Sequence, residues 1–483
     1  MARRESRIAR PDKTRSDRRS TTGGFVRGLG LWDATAVVAG SMIGSGIFIV
    51  SADIARQVGA PGWLLVVWLI AGVMTVIGAL SYGELAAMMP HAGGQYVYLR
   101  EAYGPLVGFL YGWTLFLVIQ TGTIAAVAVA FGKFTATLLP ALDTAMHVGP
   151  FSVSAQQGVA IAIVVLLTAA NCNGLRTGKL VQNVFTATKI GSLLVLVVLG
   201  LAVGRNPAAM DANRAQFWGS PSVSLIPLIG AAMVGALFSA DAWNNITFAA
   251  AEVRAPARTV PLSLAIGTSL VIGLYLAANV VYLAALPLHG DPAATTALGR
   301  GIQFATSDRV ATAAMQVTLG QGAAVIMAVA IMISTFGCDN GLILSGARVY
   351  YAMARDGLFF PVAGFLNTRG VPAAALVLQG VWASVLTLSG TYSDLLDYVI
   401  FAALLFYVLT VGAIFILRRT RPLTPRPYTA VGYPAIPAAY IVLAVLIMID
   451  LLIVKPRYTW PGLLIVASGV PVFYWWRARS VSA

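Results

Sequence analysis

Twelve long apolar stretches, joined by short polar connections, leave this 483-residue chain few folds to choose from. They run over 31–55, 62–82, 106–132, 157–172, 181–203, 223–250, 262–286, 323–347, 373–389, 394–417, 435–454 and 460–476. About 20 apolar residues carry an α-helix across a bilayer, where every backbone N–H and C=O must be paired within the protein. A membrane β-barrel meets that demand with short segments that alternate apolar and polar residues. These stretches are apolar on all sides, so the expected fold is an all-α membrane protein with 12 transmembrane helices. Composition agrees: 58% of residues are hydrophobic and 10% charged, against roughly 25% charged in soluble domains. A water-soluble chain of that makeup has too little polar surface to cover itself.

The net charge of +14 would suit a nucleic-acid binder, but its distribution does not. With the N-terminus on the cytoplasmic side, the tails and loops on that side hold 23 of the 32 Lys and Arg, and the opposite loops 8. This is the positive-inside pattern, which places both termini in the cytoplasm and the chain in the cell membrane. Residues 1–28 form a basic tail (Arg3, Arg4, Arg7, Arg10, Lys13, Arg15, Arg18, Arg19), expected to be disordered. It suits a topology signal that touches anionic lipid, and it lacks the interleaved aromatics of a nucleic-acid surface. Nothing resembles a cleavable signal peptide, because the first apolar stretch is too long and follows 28 mostly polar residues.

Enzyme and channel chemistry find no footing. Cys172 and Cys338 lie far apart and imply no disulfide framework, and His91, His147 and His289 fall in loops. No metal-ligand spacing, cofactor motif or nucleophile–base grouping is present, so no cofactor is expected. A channel would want rings of charge or a repeated carbonyl filter, and neither is visible.

Two stretches are interrupted. The first holds Gly40, Gly44 and Gly46 near its middle; the sixth holds the polar island from Ser239 through Asp241 to Asn244 and Asn245. Glycine in a helix interior costs about 1 kcal/mol relative to alanine, and a mid-membrane carboxylate about 2.5–3.5 kcal/mol. Glycines alone would also serve close helix packing. Interruptions five stretches apart suggest two five-helix halves, 29–205 and 206–417, with 418–483 adding two further helices. Such paired breaks point to a transporter binding site.

These residues resemble the amino acid–polyamine–organocation superfamily, and within it the L-amino-acid-transporter-like permeases. The motif Gly44-Ser45-Gly46-Ile47-Phe48 is the most specific element, followed by the stretch from Phe238 to Asn245 that continues to Pro261. The run from Gln182 to Lys189 and the run from Arg348 to Gly357 match as well, and the likeness extends from about Leu29 to the last helix. The resemblance implies a five-plus-five inverted repeat of the LeuT type, with discontinuous helices 1 and 6. It implies alternating-access transport of small neutral L-amino acids without sodium, by exchange or with protons. A cationic amino acid or polyamine antiporter of the same superfamily is the alternative. Whether a second subunit is needed stays open.

The substrate site implied lies at the two breaks: Met42, Ile43, Gly44, Ser45 and Gly46 on one side, and Phe238, Ser239, Ala240, Asp241 and Trp243 on the other. Freed N–H groups at the first break suit an α-carboxylate, and freed carbonyls at the second suit an α-ammonium. Phe238 matches an aromatic that closes over substrate, or is a core aromatic. Asp241 faces substrate, caps the broken helix or pairs with a neighbour. Lys189 sits about 12 Å into its apolar stretch at 1.5 Å per residue, too deep for easy snorkelling. In the family a lysine here stands where sodium-coupled relatives bind sodium; its expected partners are carbonyls around Gly40 to Ile43 and the hydroxyls of Ser334 and Thr335. Glu84, Glu252, Asp339 and Arg348 are expected near cytoplasmic helix ends, as gate or topology contacts.

Overall fold

The computed structural model describes residues 25, 27–148, 151–219, 225–389 and 392–481. Residues 1–24 of the basic tail lie outside the described residues. Each apolar stretch overlaps a helix. Among the described residues, nine helical stretches are long and apolar enough to cross a membrane, and Leu225–Ser239, Val310–Leu319 and Ala373–Leu388 are shorter apolar helices. The twelfth stretch falls within the helix Pro456–Val481, which carries Pro461 and Pro471. The one sheet among the described residues is a hairpin, β1 (Ala145–Val148) antiparallel to β2 (Phe151–Ser154), in the connection after the third stretch.

The first stretch is helical as α1 (Leu31–Met42), breaks, and resumes as α2 (Gly46–Ile49). Ile43 leaves helical geometry with ψ of 88°, and the Gly44 N–H turns to the Met42 carbonyl at 2.9 Å. In an unbroken helix that N–H would pair with the carbonyl of Gly40, four residues back. The Gly40 carbonyl is therefore released.

The third stretch runs as α3 (Pro105–Leu138) and contains a π-helical turn at Leu115–Ile119, just before Gln120 and Thr123. Such turns often mark functional positions. The fifth is α4 (Leu175–Ala202), with Lys189 near its middle. The sixth is helical as α5 (Leu225–Ser239), opens over residues 240–244 and resumes as α6 (Asn245–Phe248). The seventh is α7 (Pro256–Ala285). Next comes α8 (Gln321–Arg355), whose 35 residues extend beyond the expected 323–347 and absorb Arg348 and its neighbours into the helix. α9 (Ala373–Ser389) and α10 (Tyr392–Thr420) complete the elements that frame the site.

α1 packs against α4, α7 and α8, and α3 packs against α8, α9 and α10. The two breaks thereby meet inside the bundle. The connection between the seventh and eighth stretches, residues 287–322, carries two short helices, Ala297–Arg300 and Val310–Leu319.

Candidate functional site

Five consecutive carbonyls at the first break, those of residues 40 to 44, accept hydrogen bonds from side chains of other helices. Lys189 Nζ donates to the Gly40 carbonyl, to Ile43 at 2.8 Å and to the Ser334 carbonyl at 3.3 Å. Cys338 Sγ lies 2.9 Å from the Ser41 carbonyl, and the Ser334 hydroxyl lies 3.1 Å from the carbonyls of both Ile43 and Gly44. The Tyr275 hydroxyl sits 3.0 Å from the Met42 carbonyl and 3.1 Å from the Ser239 carbonyl, so it spans the two breaks. An ammonium has three hydrogens, and the three carbonyls match them.

Two expectations about this cation change. Ser334 meets Lys189 through its carbonyl rather than its hydroxyl, because the hydroxyl is spent on the break itself. Thr335 does not join the group: its hydroxyl bonds back to Ile331 and Met332 of its own helix at 3.0 Å. Successive helical residues point about 100° apart, so Ser334 facing α1 turns Thr335 away.

The breaks touch at Gly46. A methyl there would lie 2.7 Å from Ser239 Cβ and 2.9 Å from its Cα, so only hydrogen fits. Ser41, Met42, Gly44, Ser45, Gly46, Phe238, Ser239, Asp241 and Ala242 line a common cavity. Thr123 and Val127 of α3 and Cys338 of α8 close it. Its volume of ≈ 10 Å³ holds about one water, so the walls are nearly in contact. Ile43 and Ala240, at 0% and 1% exposure, are buried away from this space.

Asp241 also borders a second cavity with Gln120, Thr123, Leu342 and Tyr407, and its carboxylate accepts from the Tyr407 hydroxyl. Trp243 opens on a third cavity beside Asp241 and Tyr407, with its ring 4.7 Å from Tyr82 and 5.3 Å from Tyr407. Just past the break, Asn244 donates to Gln95 Oε1 at 2.9 Å, and Gln95 donates to Thr410 at 3.0 Å. At the break itself Ala242 adopts φ of 64°, a left-handed conformation uncommon for alanine.

Tyr275, Cys338 and Tyr407 escaped the sequence reading. A tyrosine inside an apolar stretch carries a usable signal, since its buried hydroxyl needs a partner.

One end of the bundle is closed by ion pairs. Arg348 and Glu252, each about 1% exposed, pair at 2.9 Å, and the Glu252 carbonyl receives the N–H groups of Gly28 and Leu29. Glu84 takes Arg418 through both oxygens, at 2.9 and 2.7 Å, and the Ala430 N–H at 2.7 Å. Beside them Glu101 pairs with Arg421 at 2.6 Å and Arg100 at 2.9 Å. Partial burial pushes the Glu101 carboxyl up, but Arg421 and Arg100 outweigh it and hold it below the usual carboxylate range. Asp339, expected among these end contacts, instead lies near the middle of α8 at 0% exposure. Among the described residues no group of three His, Cys, Asp or Glu is placed to hold a metal ion.

The family model described as amino acid permease matches residues 29–474. The chain belongs to the amino acid permease family. It is therefore an amino acid transporter of the amino acid–polyamine–organocation superfamily, set in a membrane. Similar proteins agree along most of their length. The b(0,+)-type amino acid transporter 1 of Homo sapiens is 28% identical, over 96% of this chain and 90% of its own. The Large neutral amino acids transporter small subunit 2 of Mus musculus is 29% identical, over 94% and 82%.

Proposed function

We propose that this permease carries small neutral L-amino acids by alternating access, independently of sodium, either by exchange or together with protons. The observation that carries the reading is Lys189, whose ammonium is held by carbonyls of the first break and of α8. A fixed cation at that point takes the place a metal ion would need. The substrate's carboxylate is assigned to the N–H groups that open α2, where a new helix has donors without intrahelical acceptors. Its ammonium is assigned to carbonyls at the second break. Thr123, Val127 and Phe238 give the remaining wall a small, largely apolar lining, which suits a short uncharged side chain. The name of the mouse relative, a transporter of large neutral amino acids, favours a neutral substrate class.

Asp241 supports a second reading, a cationic amino acid or polyamine, because it borders all three cavities. Its bond to Tyr407 counts against it, since a distal ammonium would have to displace that hydroxyl. The positive-inside bias puts the ion-paired end of the bundle, with Glu84, Glu252 and Arg348, on the cytoplasmic side.

A thermal-shift screen of the purified protein against the 20 amino acids and polyamines separates the two readings. A ligand at 100 times its Kd adds about 2.7 kcal/mol to the folded state. Stabilisation by small neutral amino acids, with uptake into proteoliposomes unchanged when choline replaces sodium, is the expected result. Stabilisation by lysine or polyamines alone selects the second reading, and steep sodium dependence overturns the role given to Lys189.

A further inference from the structure

Asp339 is buried in the middle of α8 at 0% exposure, and neither of its carboxyl oxygens has a hydrogen-bond partner. Buried polar groups are paired almost everywhere in proteins, and a buried unpaired carboxylate gives up its charge by taking a proton. Among the described residues no counter-ion is in contact with it. α3, which packs on α8, carries the titratable chains Tyr111, edge-on to Phe406, and Lys133, which interacts with Asp308, Arg309 and Arg56. α9 carries no titratable residue, and α1 carries Asp33, which is paired with Lys179 at 2.6 Å. Among the described residues Lys189 on α4 is the cation whose charge reaches Asp339, and Cys338 is its neighbour on α8. Lys189 cannot serve as partner, because its three donors already go to the carbonyls of Gly40, Ile43 and Ser334.

Asp339 is mechanically tied to the first break. Ser334 and Cys338 on the same helix hold the carbonyls of Ser41, Ile43 and Gly44, and Leu342, one turn on, borders the cavity of Asp241. Movement of the first break is therefore passed to α8 through these contacts, and α8 packs against α3.

We propose that Asp339 is the proton-carrying group of this permease. In the closed state it is the neutral acid. When α8 and α3 part, water reaches the carboxyl; the O–H bond breaks and the proton leaves to water, or it forms again from water on the opposite side. Amino acid and proton then cross together. The inference rests on the amino acid transport reading and narrows it from exchange to proton coupling.

The test uses full-length protein in proteoliposomes with a pH dye in the lumen and labelled L-alanine, L-serine and L-valine as probes. Wild-type protein should accumulate a probe against its gradient when the outside is acidic, and should acidify the lumen as it does. Asp339→Asn mimics the neutral acid and should keep counterflow exchange within about threefold of wild type while losing accumulation and lumen acidification. Asp339→Leu, similar in shape, carries the same expectation if the Asn variant does not fold, and Asp339→Glu should retain proton movement. Accumulation with acidification in the Asn or Leu variant overturns the proposal, as does wild-type counterflow with no proton movement. If wild-type protein moves none of the probes, the neutral amino acid reading falls and takes this inference with it.

Discussion

At the first break every carbonyl from Gly40 to Gly44 is taken by a side chain reaching in from α4, α7 or α8. At the second break the support is sparser. The Phe238 carbonyl takes the Asp241 N–H at 3.1 Å, Ser239 shares the Tyr275 hydroxyl, and the Asp241 carboxylate leans on Tyr407. Ala242 holds the turn in a left-handed conformation. The first break is thus fixed by a cation and four other contacts, while the second rests on strain and a few bonds. The two breaks, one marked by glycines and the other by a polar island, are therefore held differently: the first by side chains from three neighbouring helices, the second by a left-handed turn and fewer such contacts. If so, damage at the first break should cost more than comparable damage at the second.

The largest effect is expected where the two breaks meet. Gly46→Val places branched carbons against Ser239, which a methyl already approaches to 2.7 Å, so the breaks must separate. Uptake should fall to background and stabilisation by amino acids should vanish, while helicity by circular dichroism is kept. Unchanged affinity in the purified variant would move the substrate site elsewhere.

Next comes the anchor itself. Lys189→Ala takes the donor from the buried Gly40 carbonyl, and an unsatisfied group of that kind costs about 1–3 kcal/mol. Transport should drop more than tenfold, with a lower melting temperature, yet the membrane fold should survive. Wild-type flux in this variant would reduce Lys189 to a tether and erase the contrast between the breaks.

Tyr407→Phe removes one hydroxyl from the second break, a loss of about 1 kcal/mol for a neutral hydrogen bond and somewhat more to a charged group. Affinity should change by no more than about tenfold, read by titration of binding. A loss as complete as at Lys189 would show that the second break is the rigid one.

The sequence reading reached the fold and the anchor for one physical reason. A bilayer forbids unpaired backbone and stray charge, so long apolar stretches and a lone Lys189 within one of them stand out. Partners brought from distant stretches leave no such mark. Tyr275, Cys338 and Tyr407 are ordinary residues of apolar helices until packing places them against a break. The family resemblance implied Thr335 beside Lys189 together with Ser334, but helical rotation turns it to its own backbone. Asp339 was expected near a cytoplasmic helix end; α8 runs on to Arg355 and leaves that carboxyl near mid-helix.

Ala242 offers the smallest and most discriminating test. An L-residue in the left-handed region costs roughly 1–2 kcal/mol, and glycine removes that cost. Ala242→Gly also gives up a buried methyl, worth about 0.8 kcal/mol, and loosens the unfolded chain by about 0.4–1 kcal/mol. Since Ala242 is 6% exposed, all three contributions apply, and they nearly cancel. The melting temperature should therefore stay close to wild type, with stability changed by less than about 1 kcal/mol. Ala242→Val has no such compensation, because a β-branched side chain fits this conformation poorly. It should melt clearly lower than both. Equal melting of the Val variant and wild type would show that the second break does not hold residue 242 in its left-handed form, and would remove strain from the comparison.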